Sequence, residues 1–225
     1  MNAPKLHSPL PPAGRARPGA EKGLSVRHMQ VRFGQPLEIV VDPAERVAAV
    51  PKHHLVKGMF LAELVRHLGP KWPSVAATLV APPRLGRYLP FGDYPRVDHI
   101  RLLYAVALAR YPHATPAQGV RLTGRRDAQI FNDSLVGKAL LAPISSVKGA
   151  LLRGPRAYQL VVRGGTVRAL DLGERWVRLE YRDFAGWVEG ATIGLVEGMV
   201  GAFGAQASID IEFLSDADAN YDVRW

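Results

Sequence analysis

Apolar residues recur every three to four positions through the first two thirds of the chain, and mostly every second position in the last third. The first pattern predicts amphipathic helices, the second half-buried strands. A lead-in, Gly23 to Pro51, holds two possible strands, VRHMQVRF and PLEIVV. From His54 to Leu68, Leu55, Met59, Leu64 and Leu68 fall on one face with Val56, Phe60 and Val65 beside them, and Gly69-Pro70 ends this helix. Trp72 to Val80 predicts a short helix stopped by Pro82-Pro83. Pro95 suits the first position of a third, which runs to Tyr111 and buries Val97, Ile100, Leu103, Tyr104, Ala107 and Leu108. Thr115-Pro116-Ala117-Gln118 reads as a capping box opening a short helix that closes at Gly124. Arg126 to Leu141 predicts another helix, with Ile130, Phe131, Leu135 and Leu140 inward. Ser145 or Ser146 caps a last short helix ending at Gly154-Pro155.

Beyond Pro155 the period changes to two. Tyr158, Leu160 and Val162 alternate with polar neighbours, and Gly164-Gly165 suits a two-residue hairpin turn. Thr166 to Asp171 and Arg175 to Tyr181 extend a meander, and a helix over 185–203 follows. Ala207, Ile209, Ile211 and Phe213 then share one face, as do Tyr221, Val223 and Trp225 after a turn through SDADAN. The expected fold class is α/β of the α+β kind: a helical N-terminal half packed with an antiparallel meander, a Gly-rich helix and a final β-hairpin. The expected organisation is a Pro/Arg-rich disordered tail over 1–24, a lead-in over 25–50 and a single domain over 51–225.

Composition narrows the function classes. None of the 225 residues is cysteine, which excludes a disulfide framework, a thiol nucleophile and cysteine-held metal clusters. The tail, with five prolines where a signal peptide needs an apolar run, is not read as one. Phe184 to Phe203 is apolar enough to test for a membrane span, but Glu189 and Glu197 lie inside it, so no span is expected. Cytoplasmic location follows as an expectation. The net charge of +9 is spread along the chain and favours acidic partners only weakly; nucleic acid ranks last among the partners considered.

The C-terminal segment from Pro155 to Trp225, with its meander, Gly-rich helix and final hairpin, resembles the last module of vinyl-reductase-type ligand-binding domains and of H-NOX heme–nitric-oxide domains. The runs VKGMF opening LAELVRHLG, RLLYAVALARYP, ATPAQGVRLTGR, IFNDSLVGKALL and LLRGPRAYQ, in that order, resemble a paralogous family of unknown function abundant in myxobacteria. The resemblance covers about Val50 to Trp225. It implies a fold that binds a small molecule or a partner, and it does not extend to heme. H-NOX domains place a proximal histidine late in their helical region and hold the propionates with Tyr-x-Ser-x-Arg. This chain has no histidine beyond His113, and no tyrosine has serine two positions later. The cysteines that vinyl-reductase-type domains often carry near their end are missing too. No cofactor is expected, and the purified protein should be colourless.

Gly186, Gly190, Gly194 and Gly198 recur every four residues and would form a smooth row along one helix face. Each glycine costs that helix about 1 kcal/mol relative to alanine, so something is expected to approach the row closely. The occupant could be a neighbouring element of the same chain, a symmetry-related helix of a homodimer, or a flat ligand. On the ligand reading Trp187, Phe60, Tyr104 and Phe131 join the glycines as the candidate groove. Leucine at Gly190 or Gly194 should then be damaging and alanine milder.

Other constellations carry less. His53, His54, Glu63 and His67 are the plausible metal ligands of one region, but their spacing suits no tight site, and none is expected. Asp216, Asp218 and Asn220 imitate the start of a calcium loop whose sixth position, Tyr221, is wrong. Arg121, Arg125 and Arg126 could flank the turn of a helix-turn-helix. No catalytic signature is present. The sequence thus leads to the expectation of a non-catalytic binding or sensory module for a small apolar ligand or protein partner. A homodimeric scaffold without ligand is the alternative.

Overall fold

The computed structural model describes residues 28–83, 86–141, 144–184 and 189–225; the tail, Gly186 and Trp187 lie outside them. In chain order the elements are β1 (His28–Arg32), α1 (Pro43–Ala48), β2 (Leu55–Lys57), α2 (Gly58–Leu68), a 3-10 turn (Gly69–Lys71) and α3 (Trp72–Ala76). Next come β3 (Asp93–Pro95), α4 (Arg96–Arg110), α5 (Pro116–Asp133), α6 (Leu135–Leu141), α7 (Val147–Val161) and β4 (Val162–Arg163). The chain closes with β5 (Thr166–Gly173), β6 (Trp176–Arg182), α8 (Ala191–Gly201), β7 (Ser208–Phe213) and β8 (Ala219–Arg224). This is the mixed helical and antiparallel-sheet architecture that the change of period predicts.

The main sheet is antiparallel, in the order β1-β7-β8-β6-β5. Its register puts Tyr221 between Ile211 and Leu179, and Val223 between Ile209 and Val177. All six side chains are buried, so the alternation in the sequence becomes one apolar face of the sheet. The lead-in segment is part of this body. Its first strand pairs with β7, and Leu37, Ile39 and Val41 are buried although PLEIVV forms no strand. A small sheet, β3-β2-β4, joins the start of α2 to the end of α7.

Several boundaries differ from the sequence expectation, each for a packing reason. Thr115 caps α5 by accepting the Gln118 N–H, but the Gln118 side chain accepts from Leu37 N rather than completing a capping box. The helix does not close at Gly124; it continues to Asp133. A Cβ at Gly124 would sit 2.2 Å from the Ala191 carbonyl oxygen, so this glycine admits α8 rather than ending α5. Arg121, Arg125 and Arg126 therefore lie within one helix, and no helix-turn-helix exists there. Arg121 is fully buried, its guanidinium on Glu197.

Pro155 likewise fails to end its helix. After the Ser146 cap, α7 runs on to Val161, burying Val147, Ala150, Leu151 and Val161. One lost backbone hydrogen bond is outweighed by a continuous apolar face. Tyr158 and Leu160 are thus helical, not a strand, and Leu160 faces solvent. Gly164-Gly165 is not a hairpin turn. Both residues have positive φ, and they carry the chain from the small sheet to the main one, close against the His54 ring and Phe184. Leu108 and Leu135, expected inward, are exposed. Among the described residues no helix is long and apolar enough to cross a membrane.

Candidate functional site

Four helices converge on a cavity of about 830 Å³. Helix α5 contributes Asp127, Ala128, Phe131 and Asn132, and α6 contributes Lys138 and Ala139. From α7 come Ala150, Arg153, Gly154, Arg156, Ala157, Tyr158 and Val161. Leu195 and Met199 of α8, with Ala202 and Phe203 beyond it, complete that side, and Phe60 of α2, Val162 and Ile144 close the rest. Most of these groups are hydrocarbon or aromatic, so the walls are apolar. The charged exceptions divide by exposure, Asp127 being buried and Lys138, Arg153 and Arg156 exposed at the mouth, while Asn132 and Tyr158 are half-buried.

The predicted groove residues separate. Phe60 and Phe131 meet in the cavity wall. The glycine row does not line it, because α5 of the same chain occupies the row. A Cβ at Gly190 would lie 2.6 Å from Val120, at Gly194 1.8 Å from the Arg121 carbonyl oxygen, and at Gly198 2.7 Å from the Ala128 Cβ. Of the three occupants the sequence allowed, the neighbouring helix of the same chain is the one in place. Helix α8 turns its next row, Leu195 and Met199, toward the cavity instead.

Tyr104 lies elsewhere, buried near Arg46 and Glu189, and its hydroxyl is pushed up by burial. Arg46 Nε stands 2.9 Å from Glu189 Oε1 and its Nη1 3.1 Å from Asp216. Burial pushes the Glu189 carboxyl up from 4.5 to about 7, with Arg46 opposing. The folded protein thus holds a proton that the unfolded chain releases at lower pH. This contribution to stability is complete below about pH 4.5 and is lost as pH rises to about 7. Chemical denaturation of wild type and Glu189→Gln across this range should show the wild type losing ground to the variant as pH rises; a constant difference would contradict the assignment.

The metal candidates do not converge. Glu63 contacts His67 at 3.0 Å, and the other His67 nitrogen lies 2.9 Å from Arg110. His54 pairs with Asp183 at 3.0 Å, and burial pushes its imidazole down, with Asp183 opposing. Among the described residues His53, His54 and Asp183 are the group close enough to share a cation, their donor atoms within 4.8 Å of one another. The imitation calcium loop disperses: Asp216 faces Arg46, Asp218 accepts from Asp183 N and Ser215, and Asn220 donates to Glu212.

What the sequence reading missed is the α7 wall. Behind it, fully buried Arg96 donates to the Tyr158 hydroxyl at 2.6 Å, and that hydroxyl donates to the Gly164 carbonyl at 2.7 Å. The recoverable signal was the three-to-four spacing of Val147, Leu151, Gly154, Tyr158 and Val161 across the proline.

Solved structures share this architecture. An H-NOX protein mutant from K. algicida, in its Fe(II) unliganded state, superposes with a TM-score of 0.59 at 14% identity, covering 75% of this chain and 95% of that one. An H-NOX protein from S. oneidensis in the Fe(II)NO ligation state gives 0.55 at 12%, covering 75% and 98%. A mutant of T. tengcongensis H-NOX gives 0.53 at 17%, covering 75% and 95%. At these identities the likeness establishes the fold. No curated protein matches the chain.

The fold raises the question of heme, whose iron takes histidine, thiolate, methionine or tyrosine as axial ligand. The described cavity wall contains no histidine or cysteine. Its Tyr158 hydroxyl is held by Arg96 and Gly164, which leaves the Met199 thioether as the remaining donor of those types. The residues present do not fit histidine- or thiolate-ligated heme. A match over residues 49–225 settles the relationship at family level: the chain belongs to the family described as "Protein of unknown function (DUF2378)".

Proposed function

We propose that the protein is a non-catalytic binding or sensory module that holds a small, largely apolar molecule in the cavity between α5, α6, α7 and α8. The cavity itself carries the reading. At about 830 Å³ it falls within the range of small-molecule sites, roughly 300–1,000 Å³, and its walls are apolar with few polar groups. The H-NOX fold supports the reading by analogy, since one relative of that fold is described as an oxygen-binding H-NOX domain related to soluble guanylate cyclases. The homodimer alternative loses its main support, because α5 already fills the glycine row.

The test is a titration with N-phenyl-1-naphthylamine, a neutral apolar dye that brightens out of water. Wild type should show saturable enhancement at one dye per chain, and native mass spectrometry should report any molecule retained through purification. Gly154→Leu is the decisive variant. A Cβ there would meet the mobile end of Met199 at 3.4 Å, so the longer side chain enters the cavity without striking backbone. Replacing a helical glycine should add up to about 1 kcal/mol of stability. A protein that melts no lower than wild type yet binds dye at least tenfold more weakly is the expected result. Equal dye binding in both, or none in wild type, would sink the proposal.

A further inference from the structure

We propose that the cavity's ligand is a free apolar acid, its hydrocarbon body inside and its anionic head at the mouth against Lys138, Arg153 and Arg156. This rests on the binding reading above. The three cations line the cavity from two helices, and all are exposed. None has an ion-pair or hydrogen-bond partner for its side chain among the described residues, although Arg46, Arg121, Arg178 and Arg224 elsewhere in the protein each pair with an acid. Cations grouped around an apolar opening, with no acid among the described residues paired to them, complement an anion in the ligand.

The buried wall fixes which way that ligand lies. Asp127 of α5 is the one carboxylate among the described lining residues and is 1% exposed. Its oxygens accept no hydrogen bond from the described residues, and His99 Nε2 stands 3.6 Å away. An anionic head driven inward would lose its water among apolar walls, where this carboxylate offers it no cation, and burying an unpaired charge is costly. Turned outward it meets three cations and water. Charge and burial thus select one orientation, tail in and head out.

The probes are dodecanoate, dodecanol and dodecyltrimethylammonium, each used to displace N-phenyl-1-naphthylamine from wild type and from the Arg153→Gln/Arg156→Gln variant. The measured quantity is the ratio of acid to alcohol affinity within each protein, so any general change in the cavity divides out. In wild type at low salt, dodecanoate should bind about tenfold more tightly than dodecanol, and the quaternary amine most weakly. The ratio should fall to about two- to threefold in the double variant and shrink in high salt. Equal affinities for acid and alcohol, or a ratio unchanged by the variant, would overturn the inference while leaving the binding reading intact. Failure of the dye itself would instead remove the binding reading. Sedimentation with anionic vesicles separates the two sources of such a head group. Vesicle binding without displacement by monomeric dodecanoate would assign the cations to a membrane surface and overturn the proposal of a free acid.

Discussion

Gly194→Ala is expected to be among the most damaging single-methyl additions in the protein. The new Cβ would stand 1.8 Å from the Arg121 carbonyl oxygen and 2.9 Å from the Arg125 backbone nitrogen. Neither neighbour is a side chain that can swing away, so α5 and α8 must separate or tilt. Overpacking of a rigid contact costs about 3 kcal/mol or more when backbone has to move. For a chain of this length that corresponds to a fall in Tm of roughly 6–12 °C. The sequence alone ranked leucine as damaging and alanine as milder; with backbone this close, even the single methyl of alanine is expected to be costly. Gly190→Ala should cost least of the three, because its nearest contact is the Val120 Cγ2 at 2.6 Å and backbone comes no closer than 3.1 Å; Gly198→Ala should fall between, with the Ala128 Cβ at 2.7 Å and the Arg125 carbonyl oxygen at 2.8 Å. Gly201 supplies the opposite sign. It ends the same helix with nothing within 4 Å of its Cβ position, so Gly201→Ala should stabilise by up to about 1 kcal/mol. Thermal melts of the four alanine variants would test the whole series, and a neutral Gly194→Ala would show that the two helices are not in contact as described.

The glycine row shows how far a sequence can be read. Spacing by four announced that something lies against the helix, and something does. Spacing cannot say which element supplies it, because that depends on a contact between residues about seventy positions apart. The strands were legible for a simpler reason: Ile209, Ile211, Tyr221 and Val223 alternate because one face of the sheet is buried, and burial of one face is written in the local period. The cavity was half legible. Phe60 and Phe131 stood out as apolar residues on helices, but Tyr158 and its neighbours were assigned to a strand because Pro155 was read as a stop. Gly124 misled in the same way. Both residues are local helix breakers, and both sit in helices whose tertiary contacts outweigh a cost of about 1–3 kcal/mol.

Glu197→Leu should cost about 3–5 kcal/mol, for an electrostatic rather than a steric reason. Glu197 is 1% exposed on α8, and its carboxylate takes the fully buried Arg121 with both oxygens, at 3.0 and 2.5 Å. Arg125 adds a third contact at 2.8 Å. Removing the acid strands the Arg121 guanidinium in the interior with neutral acceptors: the Gln35 carbonyl at 2.6 Å, the Arg32 carbonyl at 3.0 Å and Gln118 at 3.3 Å. The double variant Arg121→Met/Glu197→Leu should recover much of the loss, since it removes both charges and leaves apolar groups of similar length. Urea denaturation of the single and double variants forms a cycle whose coupling should exceed about 1 kcal/mol. Additive losses would mean that the two residues act independently. The pair also has a place in the architecture. Arg121 hydrogen-bonds the chain just after β1, and Gln118, one turn earlier, accepts from Leu37 N. Hydrogen exchange in the Glu197→Leu protein should therefore accelerate first over residues 35–41 and only later in β7 and β8. The buried charge that counted in the sequence against a membrane span over 184–203 is, on this account, also the tie that holds the lead-in segment to the helical half.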